Sequence, residues 1–167
     1  EFEEITERKR AENQLRIAAR VFENSGEAIT VTDDKGRIQT INEAFTEITG
    51  YTEDEAIGQS VGQLLKSGRH SSLFYEEMWR DIRENGLWQG EIWNRRKNGE
   101  VYPEWLSINR ITNNEGGTEY FVAVFSDITK LKQSQRKIEY LANHDLLTGL
   151  PNRALFQDRL DHALQHA

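Results

Sequence analysis

The chain has 167 residues, of which 37% are hydrophobic and 29% charged, and a formal net charge of −7; its mean hydropathy is −0.75 and its pI near 5.2. That length allows one ordinary domain with helical extensions, and the acidity argues against a binder of phosphate backbones, so no nucleic-acid partner is expected. The absence of cysteine excludes disulfides, thiolate zinc sites, cysteine nucleophiles and thiol switches. In chain order, residues 5 to 24 read as a helix in which Ala11, Leu15, Ala18 and Phe22 form a narrow apolar seam suited to a partner helix. A strand from Glu27 to Thr32, a turn at Asp34-Lys35-Gly36 and a strand from Arg37 to Ile41 follow. Three short helical pieces come next, Asn42–Thr49, Thr52–Ile57 and Val61–Lys66. The spacing of Thr52 and Glu55 is that of a capping box. A longer helix spans Ser72–Asn85, capped by Ser71 or Ser72 and stopped by Gly86, with Phe74, Met78 and Ile82 as its apolar stripe, widened by Tyr75 and Trp79.

Three strands complete this part: Leu87–Arg96, Glu100–Ile111 and Glu119–Phe125. Between the first two, a two-residue Asn98-Gly99 turn and a three-residue Lys97-Asn98-Gly99 loop with a glycine bulge are both compatible with the residues. The three-residue loop is preferred, because it places Trp88, Gly90, Ile92, Asn94, Tyr102, Glu104, Leu106 and Ile108 on one mostly apolar face. That face would line a core or pocket, and Asn94 and Glu104 would then need partners. The basic run Arg95-Arg96-Lys97 reads as a solvated hairpin tip. A last helix runs to about Asn143, its apolar side marked by Leu131, Ile138 and Leu141 and interrupted by Ser134 and Gln135. The longest apolar run, Tyr120 to Phe125, is far too short for a bilayer. The acidic start at Glu1, Glu3 and Glu4 contradicts a signal peptide, so a cytoplasmic location is expected.

The chain also echoes itself: Ile5-Thr6-Glu7-Arg8-Lys9 resembles Ile128-Thr129-Lys130-Leu131-Lys132, with Leu15 matching Ile138 and Ala19 matching Ala142. A tandem array would explain this, with residues 1–22 as the helical linker from a preceding module.

The strings Ile41-Asn42-Glu43-Ala44-Phe45, Ile48-Thr49-Gly50-Tyr51, Gly86 to Gly99, and Phe125-Ser126-Asp127-Ile128-Thr129 resemble PAS domains of the S-box type over residues 23–129. The resemblance implies an α+β fold: a five-stranded antiparallel sheet flanked by short helices, a pocket between them, and signalling helices at both ends. By resemblance to other PAS exits, Asp127 and Thr129 would relay the signal into a helical linker, 130–143. Further on, Asp145-Leu146-Leu147-Thr148-Gly149-Leu150-Pro151-Asn152-Arg153 resembles the opening of GGDEF domains, which make cyclic di-GMP from GTP. Residues 144–167 would be the start of such a domain, and its guanine contacts would fall on Asn152 and Asp161. The catalytic signature and metal carboxylates of that family lie downstream, so this fragment is expected to be non-catalytic and to hold no metal. Its parent would be a diguanylate cyclase. Parents with and without a following EAL phosphodiesterase domain are both compatible with this motif.

By the same resemblance, the cofactor-binding candidates are Asn94, Trp88, Glu104, Tyr102, Leu106 and Ile108. An asparagine at the position of Asn94 hydrogen-bonds the flavin ring in flavin-binding PAS and LOV domains. A tryptophan at the position of Trp88 occurs in FAD-binding redox sensors, and Glu104 stands where LOV domains carry a second flavin-contacting asparagine. FAD is therefore one candidate ligand, a packed polar core another, and a small-molecule effector would leave no motif. LOV adduct chemistry is excluded by the missing cysteine. Haem would need an axial ligand, and His70, the one histidine in the PAS stretch, reads as an exposed loop residue. The expected function is a signal-sensing PAS module that controls its own GGDEF output domain as a homodimer. The alternatives are a ligand-free dimerisation module and an FAD redox sensor.

Overall fold

A computed structural model describes residues 2–165, and the chain separates into two compact units between Asp127 and Ile128. The first unit runs α1 (Phe2–Glu23), β1 (Ala28–Asp33), β2 (Ile38–Ile41), α2 (Glu43–Thr49), α3 (Glu53–Ala56), α4 (Val61–Leu65), α5 (Ser72–Asn85), β3 (Leu87–Arg95), β4 (Val101–Thr112) and β5 (Thr118–Asp127). The five strands form one sheet in the order β2-β1-β5-β4-β3, and every neighbouring pair is antiparallel. This is the expected α+β architecture. Among the described residues, no helix is long and apolar enough to cross a membrane.

Short polar devices explain the chain's sharp changes of direction. Asn42 caps α2, its Oδ1 accepting from the Phe45 amide at 3.1 Å and from the Ile29 amide at 2.8 Å. Its Nδ2 donates to the carbonyls of Phe22 at 3.0 Å and Glu27 at 2.9 Å. One buried side chain thus ties the end of α1, the start of β1 and the start of α2. The Thr52 amide donates to the Glu55 carboxylate at 3.0 Å, the return half of the capping box expected there. Ser71 caps α5, accepting from the Phe74 amide at 3.3 Å.

The β3–β4 hairpin takes the three-residue loop. Arg96 N–H donates to the Glu100 carbonyl and Gly99 N–H to the Arg96 carbonyl, both at 2.9 Å. Gly99 has φ +90°, a conformation that side-chain-bearing residues rarely adopt. The resulting register pairs Asn94 with Tyr102, Ile92 with Glu104, Gly90 with Leu106 and Trp88 with Ile108. That face, with Phe121 and Phe125 of β5 and Ala28, Thr30 and Thr32 of β1, is covered by Phe45, Ala56, Leu65, Met78 and Ile82 from the helices. Phe45 is fully buried and meets the edge of Phe125 at 5.8 Å; burying such a ring stabilises by about 1.5–3 kcal/mol.

The second unit contains α6 (Thr129–Asn143) and α7 (Arg153–Gln165). The turn between them is organised by Asp145. Its Oδ1 accepts from the amides of Leu147 and Thr148 and from the Thr148 hydroxyl, at 3.1, 2.9 and 2.8 Å. Asn152 caps α7 by accepting from the Leu155 amide at 3.1 Å, and its Nδ2 donates to the Ala142 carbonyl at 2.6 Å. Asp161 is exposed further along α7.

Candidate ligand cavity and exit junction

A cavity of about 560 Å³ lies between the inner face of the sheet and α4–α5, within the range of small-molecule sites. Its walls are mostly apolar, from Met78, Trp79, Leu106, Ile108, Phe121 and Phe125. The polar lining is concentrated in Thr30, Thr32, Tyr75, Asn94 and Glu104. The exposed residues Asp34, Lys35, Lys66 and Arg83 also border it.

Asn94 and Glu104, 7% and 1% exposed, are each other's partners. Asn94 Nδ2 donates to Glu104 Oε1 at 2.8 Å, and the Tyr102 hydroxyl donates to Oε2 at 2.7 Å. Burial pushes the Glu104 carboxyl up to about 7, with a smaller contribution from Asp127, against the hydrogen bonds from Tyr102 and Asn94 and the charge of Arg96. Burial and Glu104 together also raise the Tyr102 hydroxyl far above its ordinary value. Tyr75, which the sequence places in the apolar stripe of its helix and not among the pocket candidates, lines the same cavity. Its hydroxyl oxygen is buried and has no hydrogen-bond partner among the described residues. Burial and the Glu104 carboxyl push that hydroxyl up.

The structure therefore brings Asn94, Glu104, Leu106 and Ile108 to the cavity wall, with Tyr102 behind Glu104. Trp88 is placed differently. It is not among the lining residues; its ring lies along the strand over Gly90, where an added Cβ would stand 2.8 Å from it, and meets Phe74 edge-on at 6.0 Å. The pairing of Trp88 with Gly90 is thus a packing device.

His70 is half-buried, and the expectation of an exposed loop histidine is corrected. Its Nε2 accepts from the Trp93 amide at 2.8 Å, and its ring stacks on Phe74 at 4.1 Å. Desolvation holds the ring below its usual pKa, partly offset by Glu91. His70 does not line the cavity and its Nε2 is engaged, so the residues present do not fit a histidine-ligated haem. They do fit the polar edge of a flavin: Asn94, Glu104 and Tyr75 would hold it, and the flavin would supply redox chemistry.

The basic hairpin tip is exposed at Arg95 and Lys97, as expected of a solvated turn, but not at Arg96. Arg96 is only 16% exposed at its side chain. Its guanidinium donates to Asp127 and to the Ile48 carbonyl, bonds Glu100 at 3.0 Å, and lies 3.9 Å over the Tyr102 ring. Desolvation lowers its pKa, but the hydrogen bonds and charges of Asp127 and Glu100 win, and the net direction is upward. Arg95 donates to the Ser67 carbonyl at 2.8 Å, and Lys97 pairs with Glu55 at 2.5 Å. Asp127, the last residue of β5, is held by the hairpin that also carries Asn94. Thr129, the second residue expected to relay the signal, opens α6.

An antiparallel sheet that cups a partly polar cavity and leads through its last strand into a helix defines a small sensory domain. The PAS domain family matches residues 26–130, and the chain belongs to that family. It is 32% identical over 155 residues to the cyclic di-GMP phosphodiesterase PdeR of Escherichia coli, covering 92% of this chain and 23% of that protein. It is 28% identical over 146 residues to the probable diguanylate cyclase DgcE of the same organism, covering 86% of this chain and 13% of that protein. The chain thus spans a quarter or less of these relatives. Among solved structures, the PAS domain of a Colwellia psychrerythraea protein matches with a TM-score of 0.64 and 28% identity, over 70% of this chain and 98% of that one.

Proposed function

We propose that this PAS domain is the input module of a cyclic di-GMP signalling protein. The cavity takes a small ligand, and the state of the cavity wall reaches the output through Asp127, Thr129 and α6. The observation that carries the reading is Arg96, which couples the hairpin bearing Asn94 to Asp127, the residue before the exit. Residues 144–167 form the start of a GGDEF domain in this reading, with Asn152 and Asp161 as its guanine contacts once the rest of that domain is present. The relatives that make or degrade cyclic di-GMP support the assignment of the output. The module acts as a homodimer: Leu15 of α1 is 73% exposed, and Trp105 on the outer face of the sheet is 51% exposed, so both offer apolar surface to a second copy.

A second reading, an FAD redox sensor, draws on the buried polar end formed by Asn94, Glu104 and Tyr75, and visible absorption of the purified protein tests it. For the relay, the test is cyclic di-GMP turnover by the longer protein after insertions behind Gln135 in α6. Two added residues turn everything downstream by about 200°, whereas seven return it nearly to phase. Turnover should change with two residues and recover with seven; equal turnover in both would rule out transmission through the helix.

A further inference from the structure

Among the described residues, Glu104 is the only buried carboxyl, at 1% exposed, and it makes no ion pair. Its charge is met by two neutral donors, Asn94 Nδ2 on Oε1 at 2.8 Å and the Tyr102 hydroxyl on Oε2 at 2.7 Å. A buried carboxylate without an ion partner is costly, and taking up a proton removes that cost. The proton has a route, because the cavity that Glu104 lines is also bordered by the exposed residues Asp34, Lys35 and Arg83.

Glu104 is also tied to the exit. In the sheet it stands directly opposite Asp127 of β5. The Tyr102 ring, whose hydroxyl bonds Glu104, carries the Arg96 guanidinium 3.9 Å above it, and Arg96 in turn donates to Asp127. Two carboxyls thus act on one guanidinium. The other titratable groups facing Glu104 are Tyr75 of α5 and, over the Tyr75 ring, Lys66.

We infer that the domain senses protons: Glu104 binds one from solvent, and the Arg96–Asp127 pair at the exit reports whether it is bound. Ionised Glu104 repels Asp127 and draws on Arg96, whereas the neutral acid does neither, so the pair is tighter in the protonated state. The neutral acid also carries an O–H that needs an acceptor. Asn94 supplies it by turning its amide to present Oδ1. Proton uptake therefore rearranges the cavity wall as well as the exit. The inference rests on the reading that the domain's state leaves through Asp127 and Thr129, and it adds a signal to that reading. Coupling of this kind is reciprocal. Removing the Arg96 cation must tighten proton binding at Glu104, and removing the Asp127 charge must weaken it.

The test follows the carbon-13 resonance of the Glu104 carboxyl and the amide resonances of Asp127 and Thr129 in the full chain, from about pH 5 to about pH 9. Glu104 should titrate at about 7, and both amides should move with the same midpoint. Glu104→Gln should abolish that movement. His70→Gln, which removes the nearby imidazole and keeps an acceptor for the Trp93 amide, should leave it intact. Arg96→Met should raise the Glu104 midpoint and cut the Thr129 movement at least about threefold, and Asp127→Asn should lower the midpoint. The parent and Arg96→Met decide the matter if Glu104→Gln does not fold. A Glu104 midpoint at the ordinary 4.5, amide movement that persists in Glu104→Gln, or amides that stay still while Glu104 titrates overturns the proton sensor. Cyclic di-GMP turnover by the longer protein at about pH 6 and about pH 8, relative to Glu104→Gln at the same pH, should change at least about fivefold. A flat ratio with amides that still move leaves the sensor standing and overturns the reading of the output.

Discussion

Replacing Glu104 with glutamine removes a charge while keeping the size and most of the hydrogen bonding of the side chain, so it isolates the cost of ionising a carboxyl at this depth. Glu104 is 1% exposed and is pushed from 4.5 to about 7, chiefly by burial. Below about pH 4.5 the group is protonated in both the folded and the unfolded chain and costs nothing. Between about 4.5 and 7 the unfolded chain ionises first, so stability falls as pH rises. Above 7 the folded protein carries the full cost, about 3 kcal/mol. Glutamine has no such titration. Its carbonyl accepts from Tyr102, and Asn94 can turn its amide to accept from the new NH₂, leaving a pH-independent difference of about 1 kcal/mol in either direction. Urea unfolding followed by far-ultraviolet circular dichroism at pH 5 and pH 8.5 gives the comparison. The stability of Glu104→Gln relative to the parent should improve by about 2–3 kcal/mol from the lower to the higher pH. The same relative stability at both values would mean that Glu104 ionises in the fold as it does in water, and would refute the buried-carboxyl account.

His70 contributes with the opposite sign: its folded pKa is depressed, so the stability it supports is present above pH 6.5 and is lost as pH falls through the folded value. A nuclear magnetic resonance titration should place its midpoint below 6.5, and a midpoint above that would show that burial does not desolvate the imidazole as described. Asn94→Ala strands the Glu104 carboxyl and should cost about 1–3 kcal/mol in denaturant unfolding; no loss would mean the pair is not closed in solution. Changing Leu15 and Phe22 together to glutamate should shift the chain from dimer to monomer in sedimentation at tens of micromolar, because like charges would enter an apolar contact. A monomeric parent, or a variant that stays dimeric, would place the seam elsewhere.

Most of the fold was readable because its signals are local. Asn42, Thr52 with Glu55, and Ser71 act within a turn of their helices, and the Lys97-Asn98-Gly99 loop sets the β3–β4 register from its own three residues. That register puts Asn94 and Glu104 on one face. Arg96 was not readable in the same way: its role depends on Asp127, 31 residues away, and a run of basic residues at a hairpin tip carries no sign of a distant carboxylate. Tyr75 looked like one more member of an apolar helical stripe, since periodicity reports the face of a helix and not whether a hydroxyl finds a partner. Trp88 shares a face with Asn94, yet its side-chain torsions, which no sequence pattern specifies, lay the ring over Gly90.

The most direct test of the central claim is cyclic di-GMP turnover by the longer protein carrying Arg96→Met, which keeps an unbranched side chain but removes the guanidinium that bonds Asp127 and lies over Tyr102. Turnover should change at least about fivefold, a coupling of about 1 kcal/mol, while the dichroism spectrum of the module stays that of the parent. Turnover within twofold of the parent, with the Arg96–Asp127 pair broken, would contradict the proposal that this junction joins the cavity to the output.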